Sequence, residues 1–165
     1  MSVLGIDPGK DGAIACLDEH TGLIEDIFYM PLTKVGRRSN GNDKLQVDPQ
    51  FLADVLGAWL DDSPLVAIME SVHASPQMGA VSSFSFGEGV GLVTGVLTTL
   101  GIELHKVTPK TWKGYYGLSG GRDQKGEALE LARATWPTSE LFKRKKDSDR
   151  AEAALMARYY LVEVR

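Results

Sequence analysis

One cysteine, Cys16, is present among 165 residues. That excludes an intramolecular disulfide and a thiolate metal cluster built within one chain. Histidine is nearly as scarce: His20, His73 and His105 are scattered, with none of the spacing of a zinc site. No basic stretch precedes the first short apolar run, so a secretory leader is not expected. The longest apolar-rich stretch, 90–100, is expected to be too short to cross a bilayer, so no membrane partner is expected. Internal repeats, low-complexity tracts and an interdomain linker are also lacking. The expectation is one cytoplasmic domain over residues 1–165, long enough for a substantial core.

Charge is present but unevenly placed. The net charge is −4, which at first argues against a nucleic-acid partner. From His105 to Arg150, however, eleven Lys or Arg face six Asp or Glu, so that segment is +5 and the rest is −9. Fields are local at physiological salt, and an acidic body with a basic late segment can still hold a polyanion. A solvated helical face is the plain alternative.

The apolar patterning predicts the order βββαβαβααα. Strands are expected at 3–7, 12–17 and 23–30, and short connections make them an antiparallel meander. The stretch 34–42 is polar and glycine-containing and reads as a mobile loop. Asp48 followed by Pro49 signals a helix start, with Phe51, Leu52, Val55 and Trp59 on its apolar face. The run PLVAIM at 64–69 reads as an interior buried strand ending at Glu70. In the long segment 78–100, Gly87, Gly91 and Gly95 recur on one helical face, which close packing of a helix on the sheet would explain. A strand at 102–107 and helices at 108–116, 125–136 and 147–162 follow.

The acids are the candidate chemistry. Asp7 ends the first strand and is followed by Pro8-Gly9, which is turn chemistry or a ligand position. Glu70 ends the apolar strand. If those strands are parallel neighbours, the two carboxylates share a sheet edge. The last helix opens DSDRAE, where Asp149 and Glu152 are three apart and share a face. Asp147 sits near the N-cap, where an acid also complements the helix dipole. Converging carboxylates repel and raise one another's pKa. A divalent cation relieves this, and all-oxygen donors select Mg²⁺, with Mn²⁺ as a substitute. Two such ions per site would activate a water and stabilise the leaving oxygen of a phosphodiester.

At this point the pattern resembles a known family. GIDPG at 5–9, IMES at 68–71 and KKDSDRAEAALMA at 145–157 are similar to the acidic motifs of the RuvC-type Holliday junction resolvases, on the ribonuclease H-like fold. TPKTWKGYYGL at 108–118, followed by Lys125, is similar to the small resolvases of phages and prophages, so the expected setting is a bacterial or phage-infected cell. The resemblance implies an α/β fold with a five-stranded mixed sheet flanked by helices. It implies that Asp7 bridges two metals, that Glu70 binds one, and that Glu152 with Asp149 or Asp147 completes the site. Family members usually carry Asp at the position of Glu152. His73 falls where the family supplies an aromatic group near the junction crossover; it stacks on a base or lies in an exposed loop. Phe84 and Phe86 serve the junction or pack, with packing favoured for at least one. Lys110, Lys113, Arg122 and Lys125, among turn glycines, and Lys145 and Lys146, before the last helix, are the candidate phosphate contacts. Trp112, Tyr115 and Tyr116 suit a hydrophobic anchor better than a stacking platform.

The expected activity is resolution of four-way DNA junctions by paired symmetric nicks. Two symmetric cuts need two active sites, so a homodimer is implied, with helix 81–100 a candidate interface. A flap, branched-DNA or hybrid nuclease of the same fold is the nearest alternative. GIDPGKDGAIA also resembles the first phosphate loop of sugar-kinase or actin-like ATPases, but that architecture needs a second such domain. A junction-binding module without chemistry is the remaining alternative.

Overall fold

The computed structural model describes residues 1–71, 73, 78–119 and 125–165, with Lys125 described by its backbone alone. In chain order the elements are β1 (Ser2–Ile6), β2 (Ala13–Asp18), β3 (Ile24–Tyr29), β4 (Leu32–Arg37), β5 (Asp43–Val47), α1 (Pro49–Asp62), β6 (Leu65–Glu70), α2 (Ala80–Thr99), β7 (Glu103–Val107), α3 (Pro109–Tyr115), α4 (Lys125–Thr135) and α5 (Ser148–Tyr159). One sheet has the order β3-β2-β1-β6-β7. β1, β2 and β3 form the antiparallel meander; β6 runs parallel to β1, and β7 parallel to β6.

Side chains alternate across a strand, so each strand feeds two cores. Val3, Ala15, Leu17 and Ile68 face α4, α5 and Trp112 of α3. Leu4, Ile6, Ile14 and Met69 face α1 and α2, meeting Leu52, Leu56, Val93 and Leu97. Each such side chain is fully or almost fully buried, and each Val, Leu, Ile or Met among them stabilises the fold by roughly 1.5–3 kcal/mol relative to exposure. One contact sets the spacing of α5. A Cβ built on Gly5 would lie 1.9 Å from the Ala153 carbonyl oxygen and 2.7 Å from the Ala157 nitrogen. Only glycine lets α5 rest backbone-to-backbone on β1.

The structure corrects four expectations. The stretch 34–42 is not all loop: its first four residues belong to β4, which pairs with β5, and 38–42 form the turn between them. On α1 the buried residues are Leu52 and Leu56, while Phe51 is exposed. On α2 it is Gly89 that is buried, whereas Gly87, Gly91 and Gly95 face outward with nothing within 4 Å of an added Cβ. Close packing on the sheet therefore does not explain that glycine stripe. Finally, α2 is longer than the apolar stretch suggested, and its 20 residues with mean hydropathy 1.3 are long and apolar enough to cross a membrane. In this fold α2 is the crossover between the parallel strands β6 and β7, with Val93 and Leu97 buried beneath it.

Candidate active site

Parallel pairing of β1 with β6 puts Ile6 opposite Met69, so the next residues, Asp7 and Glu70, leave the sheet side by side. The alternation that aims Gly5 and Ile68 at α5 aims Asp7 and Glu70 to that same side. Asp7 is held by its chain. Its N–H donates to the Ala13 carbonyl at 3.0 Å, and the Gly9 N–H donates to Asp7 Oδ1 at 3.2 Å. The turn is too tight for a side chain at Gly12, where a Cβ would lie 2.2 Å from the Asp7 carbonyl oxygen.

Helix α5 brings Asp149 in its first turn and Glu152 one turn later. Their charges join that of Glu70 at Asp7, whose carboxyl is pushed up to about 6 by burial first and then by Glu70, Glu152 and Asp149, against the Gly9 N–H. Glu70 is also raised, by burial, with Glu152 adding to the rise and the Trp112 N–H and the Lys113 ammonium opposing it. Trp112 Nε1 donates to Glu70 Oε1 at 3.0 Å. Lys113 Nζ lies 3.0 and 3.1 Å from the two oxygens of Glu152 and 5.1 Å from the Trp112 ring centroid.

Asp147 is placed apart from this group. Its buried carboxylate accepts from the Arg144 N–H at 2.8 Å, from Arg144 Nη2 at 2.8 Å and from the Tyr29 hydroxyl at 2.9 Å. Arg150 closes the cluster, stacked 4.2 Å over the Tyr29 ring centroid. Burial alone would raise the Asp147 carboxyl, but the bonds from Arg144 and Tyr29 bring it down to about 2. Of the two aspartates at the start of α5, Asp147 before it and Asp149 in its first turn, it is Asp149 that shares the field of Asp7.

The donor set of Asp7, Glu70, Asp149 and Glu152 fits a hard divalent cation in kind: oxygen ligands only, carrying mutual repulsion that a cation would relieve. Among the described residues no three such groups converge closely enough to enclose one ion as they stand. Lys113 and Trp112 hold oxygens of Glu152 and Glu70.

A cleft of about 810 Å³ opens from Asp7 and Asp149. Lys10, Arg38 and Lys44 line it, with Met78, Val81, Ser85 and Phe86 from the start of α2 and the residues before it. Lys10 Nζ donates to Ser85 Oγ at 2.7 Å, tying the Asp7 loop to α2.

The expected phosphate contacts separate. Lys113 is in the acidic group; Lys110, Lys145, Lys146 and His73 are exposed. Arg122 and the Lys125 side chain lie outside the described residues. Phe84 is 73% exposed and does not pack, whereas Phe86 is half-buried along the cleft. Trp112 is core, as expected, but it also orients Glu70, a task that composition did not signal. Tyr116 is partly buried and donates to the Leu155 carbonyl at 3.1 Å, while Tyr115 is 44% exposed. The basic ribbon wall was also missed. Its signal was Asn40-Gly41 between two basic stretches, since Asn-Gly is a strong hairpin turn pair.

Two solved structures share this arrangement of elements. One is Thermus thermophilus RuvC in complex with a Holliday junction substrate: 15% identity, TM-score 0.57, over 97% of this chain and 94% of that one. The other is a structure of Thermus thermophilus RuvC: 15% identity, TM-score 0.55, over 97% and 95%. The fold is that of RuvC. The five-stranded mixed sheet flanked by helices thus matches the ribonuclease H-like architecture expected above. No protein-family model and no curated protein matches the sequence. Against the RuvC fold, the four acids come from the ends of β1 and β6 and from the first turns of α5, the elements that the topology brings to one sheet edge.

Proposed function

We propose that this chain, a single nuclease domain over 1–165, is a structure-selective DNA endonuclease that resolves four-way junctions by metal-assisted phosphodiester hydrolysis. The observation that carries the reading is the convergence of Asp7, Glu70, Asp149 and Glu152 in one electrostatic group on a RuvC fold. Asp7, Glu70, Asp149 and Glu152 would hold Mg²⁺, or Mn²⁺ in its place, two ions per site. Bound there, the ions would supply an activated water and charge stabilisation at the leaving oxygen. The chain's own residues do the rest. The Gly9 N–H fixes the rotamer of Asp7, and the Trp112 N–H fixes that of Glu70. Lys113, beside Glu152, puts a cation where charge builds on the phosphate. Lys110, Lys145 and Lys146 are exposed cations for the DNA backbone. Asp147 is left out of the ligand set, because its carboxylate is committed to Arg144 and Tyr29.

Paired nicks require two such sites, and a homodimer supplies them. The outward face of α2, with Val81, Phe84 and the stripe Gly87, Gly91 and Gly95, is the surface we assign to that contact.

The test is cleavage of a synthetic four-way junction labelled on each strand, with Mg²⁺, alongside Asp7→Asn. Paired symmetric nicks that vanish in the variant and leave ligatable duplexes support the reading. Cutting of flaps or hybrids in preference to junctions would keep the acidic site and change the substrate. Junction binding without cutting by both forms would overturn the catalytic assignment.

A further inference from the structure

The cleft beside the carboxylates has a second wall with no role so far, the β4–β5 ribbon. A two-stranded ribbon is marginal alone, and this one is anchored at its root. Val47 is fully buried, and a Cβ on Gly89 of α2 would lie 3.4 Å from its Cγ2. The Asp48 N–H donates to the Pro31 carbonyl at 2.9 Å, closing the base. At the far end the Gly41 N–H donates to the Arg38 carbonyl at 2.9 Å, with Gly41 at φ +82°. The register slips between Lys34 and Gly36, a bulge that increases local twist. A fixed base and a projecting tip are what a clamp needs.

The tip's charge says what it would hold. Residues 32–47 carry Lys34, Arg37, Arg38 and Lys44 against Asp43 alone. Asp43 is taken by Lys34 at 2.7 Å. Among the described residues no carboxylate pairs with Arg37, Arg38 or Lys44, and all three are exposed. Arg38 and Lys44 line the same cleft as Asp7 and Asp149. A cluster of carboxylates repels a polyanion, so a phosphate backbone reaches it only where cations close by hold the neighbouring phosphates. The acids at one end of this cleft and the unpaired cations on its wall form such a pair.

We propose that the β4–β5 ribbon is a backbone clamp for an arm of the DNA substrate, with Arg38 and Lys44 contacting phosphates next to the one presented to Asp7. The inference rests on the branched-DNA reading above and adds the element that holds the arm. The contacts are to phosphate, so they position the duplex without reading sequence.

The experiment uses the full chain carrying Asp7→Asn to prevent cutting, with and without Arg38→Gln and Lys44→Gln. Binding of a labelled four-way junction is followed by fluorescence anisotropy across a salt series. Removing two phosphate contacts is expected to flatten the slope of log K against log salt by about two, so that the double variant loses about tenfold less affinity than its parent between about 50 and 200 mM salt. Arg38→Lys should keep the parent slope, Ser39→Ala should not change it, and the melting temperature of every variant should match the parent. An unchanged slope and affinity in the double variant, while the parent binds, overturns the clamp and leaves the nuclease reading standing. A parent chain that binds no branched DNA overturns both.

Discussion

Asp7 is the residue on which the site turns, and its environment yields a prediction about stability as well as activity. Its carboxyl is pushed up to about 6 from an unfolded value near 3.8. The folded state therefore binds its proton more tightly than the unfolded state. Stability falls as pH rises from about 4 to about 6, then stays at the lower level. The cost of the charged form is up to roughly 3 kcal/mol when no cation is bound. In chelator-containing buffer at neutral pH, Asp7→Asn should therefore melt at a higher temperature than the parent chain while abolishing cleavage. It should also lose the decline between pH 4 and 6. Mg²⁺ should raise the parent's melting temperature and leave that of Asp7→Asn nearly unchanged. A variant that melts lower than the parent at neutral pH would mean that Asp7 is a structural residue. Asp147 has the opposite sign. Its carboxyl is brought down to about 2, so its contribution is present above about pH 4 and is lost as pH falls toward 2. Asp147→Ala leaves the half-exposed Arg144 guanidinium and the Tyr29 hydroxyl without this acceptor. Loss of those charge-assisted hydrogen bonds should destabilise by about 1.5–3 kcal/mol, while the folded fraction still cuts. Equal loss of specific activity in Asp147→Ala and Asp7→Asn would return Asp147 to the site.

Helix α5 carries half of the acidic group, and its placement depends on two anchors: the Asp147 cluster at its start and the contact with Gly5 along its length. In Gly5→Ala a methyl would lie 1.9 Å from the Ala153 oxygen, a backbone atom that cannot rotate away. The helix must lift from β1, which is expected to cost at least as much as the 1–3 kcal/mol typical of overpacking. Lifting also draws Asp149 and Glu152 away from Asp7. Thermal denaturation and cleavage should both fall in Gly5→Ala; full activity in a stable variant would show that the spacing of α5 is not critical. Elements of this kind differ in how far the sequence reveals them. α1 was legible because Asp48 and Pro49 are a strong start signal, and Asp48 does accept from the Phe51 N–H at 3.0 Å. The pairing of Asp7 with Glu70 was legible because two apolar strands end in acids. The β4–β5 ribbon was not, since Lys34, Val35, Gly36 and Arg37 show no alternation and the ribbon has polar residues on both sides. Only its root, Val47, is buried. The outward glycines of α2 were misread for a related reason: the spacing puts them on one helical face without showing whether that face meets the sheet or solvent. Separating Asp149 from Asp147 needed three dimensions, because both fit the first-turn pattern and only the structure shows the Asp147 carboxylate engaged by Arg144 and Tyr29.

At the scale of the whole molecule, α2 presents a feature that the proposed homodimer would account for. Gly87, Gly91 and Gly95 lie in a helix interior with open space around them. Each costs roughly 0.5–1 kcal/mol relative to alanine. Among the described residues nothing packs on that face of the helix, and Val81 and Phe84 beside them are 84% and 73% exposed. A second copy whose backbone lies close along the stripe would offset that cost, and would also supply the second active site that paired nicks require. The two states predict opposite effects of one substitution. If α2 is free in solution, Gly91→Ala should stabilise the chain by up to about 1 kcal/mol and leave its mass unchanged. If the stripe is the dimer contact, Gly91→Ala and Phe84→Glu should shift sedimentation from twice 17.9 kDa toward that value itself. The monomerised forms should still nick junctions, but the two opposed cuts should lose their coupling and appear as independent events. A wild-type chain that sediments as a monomer at assay concentration while making paired nicks would remove α2 from the mechanism and require each nick to come from a separate encounter.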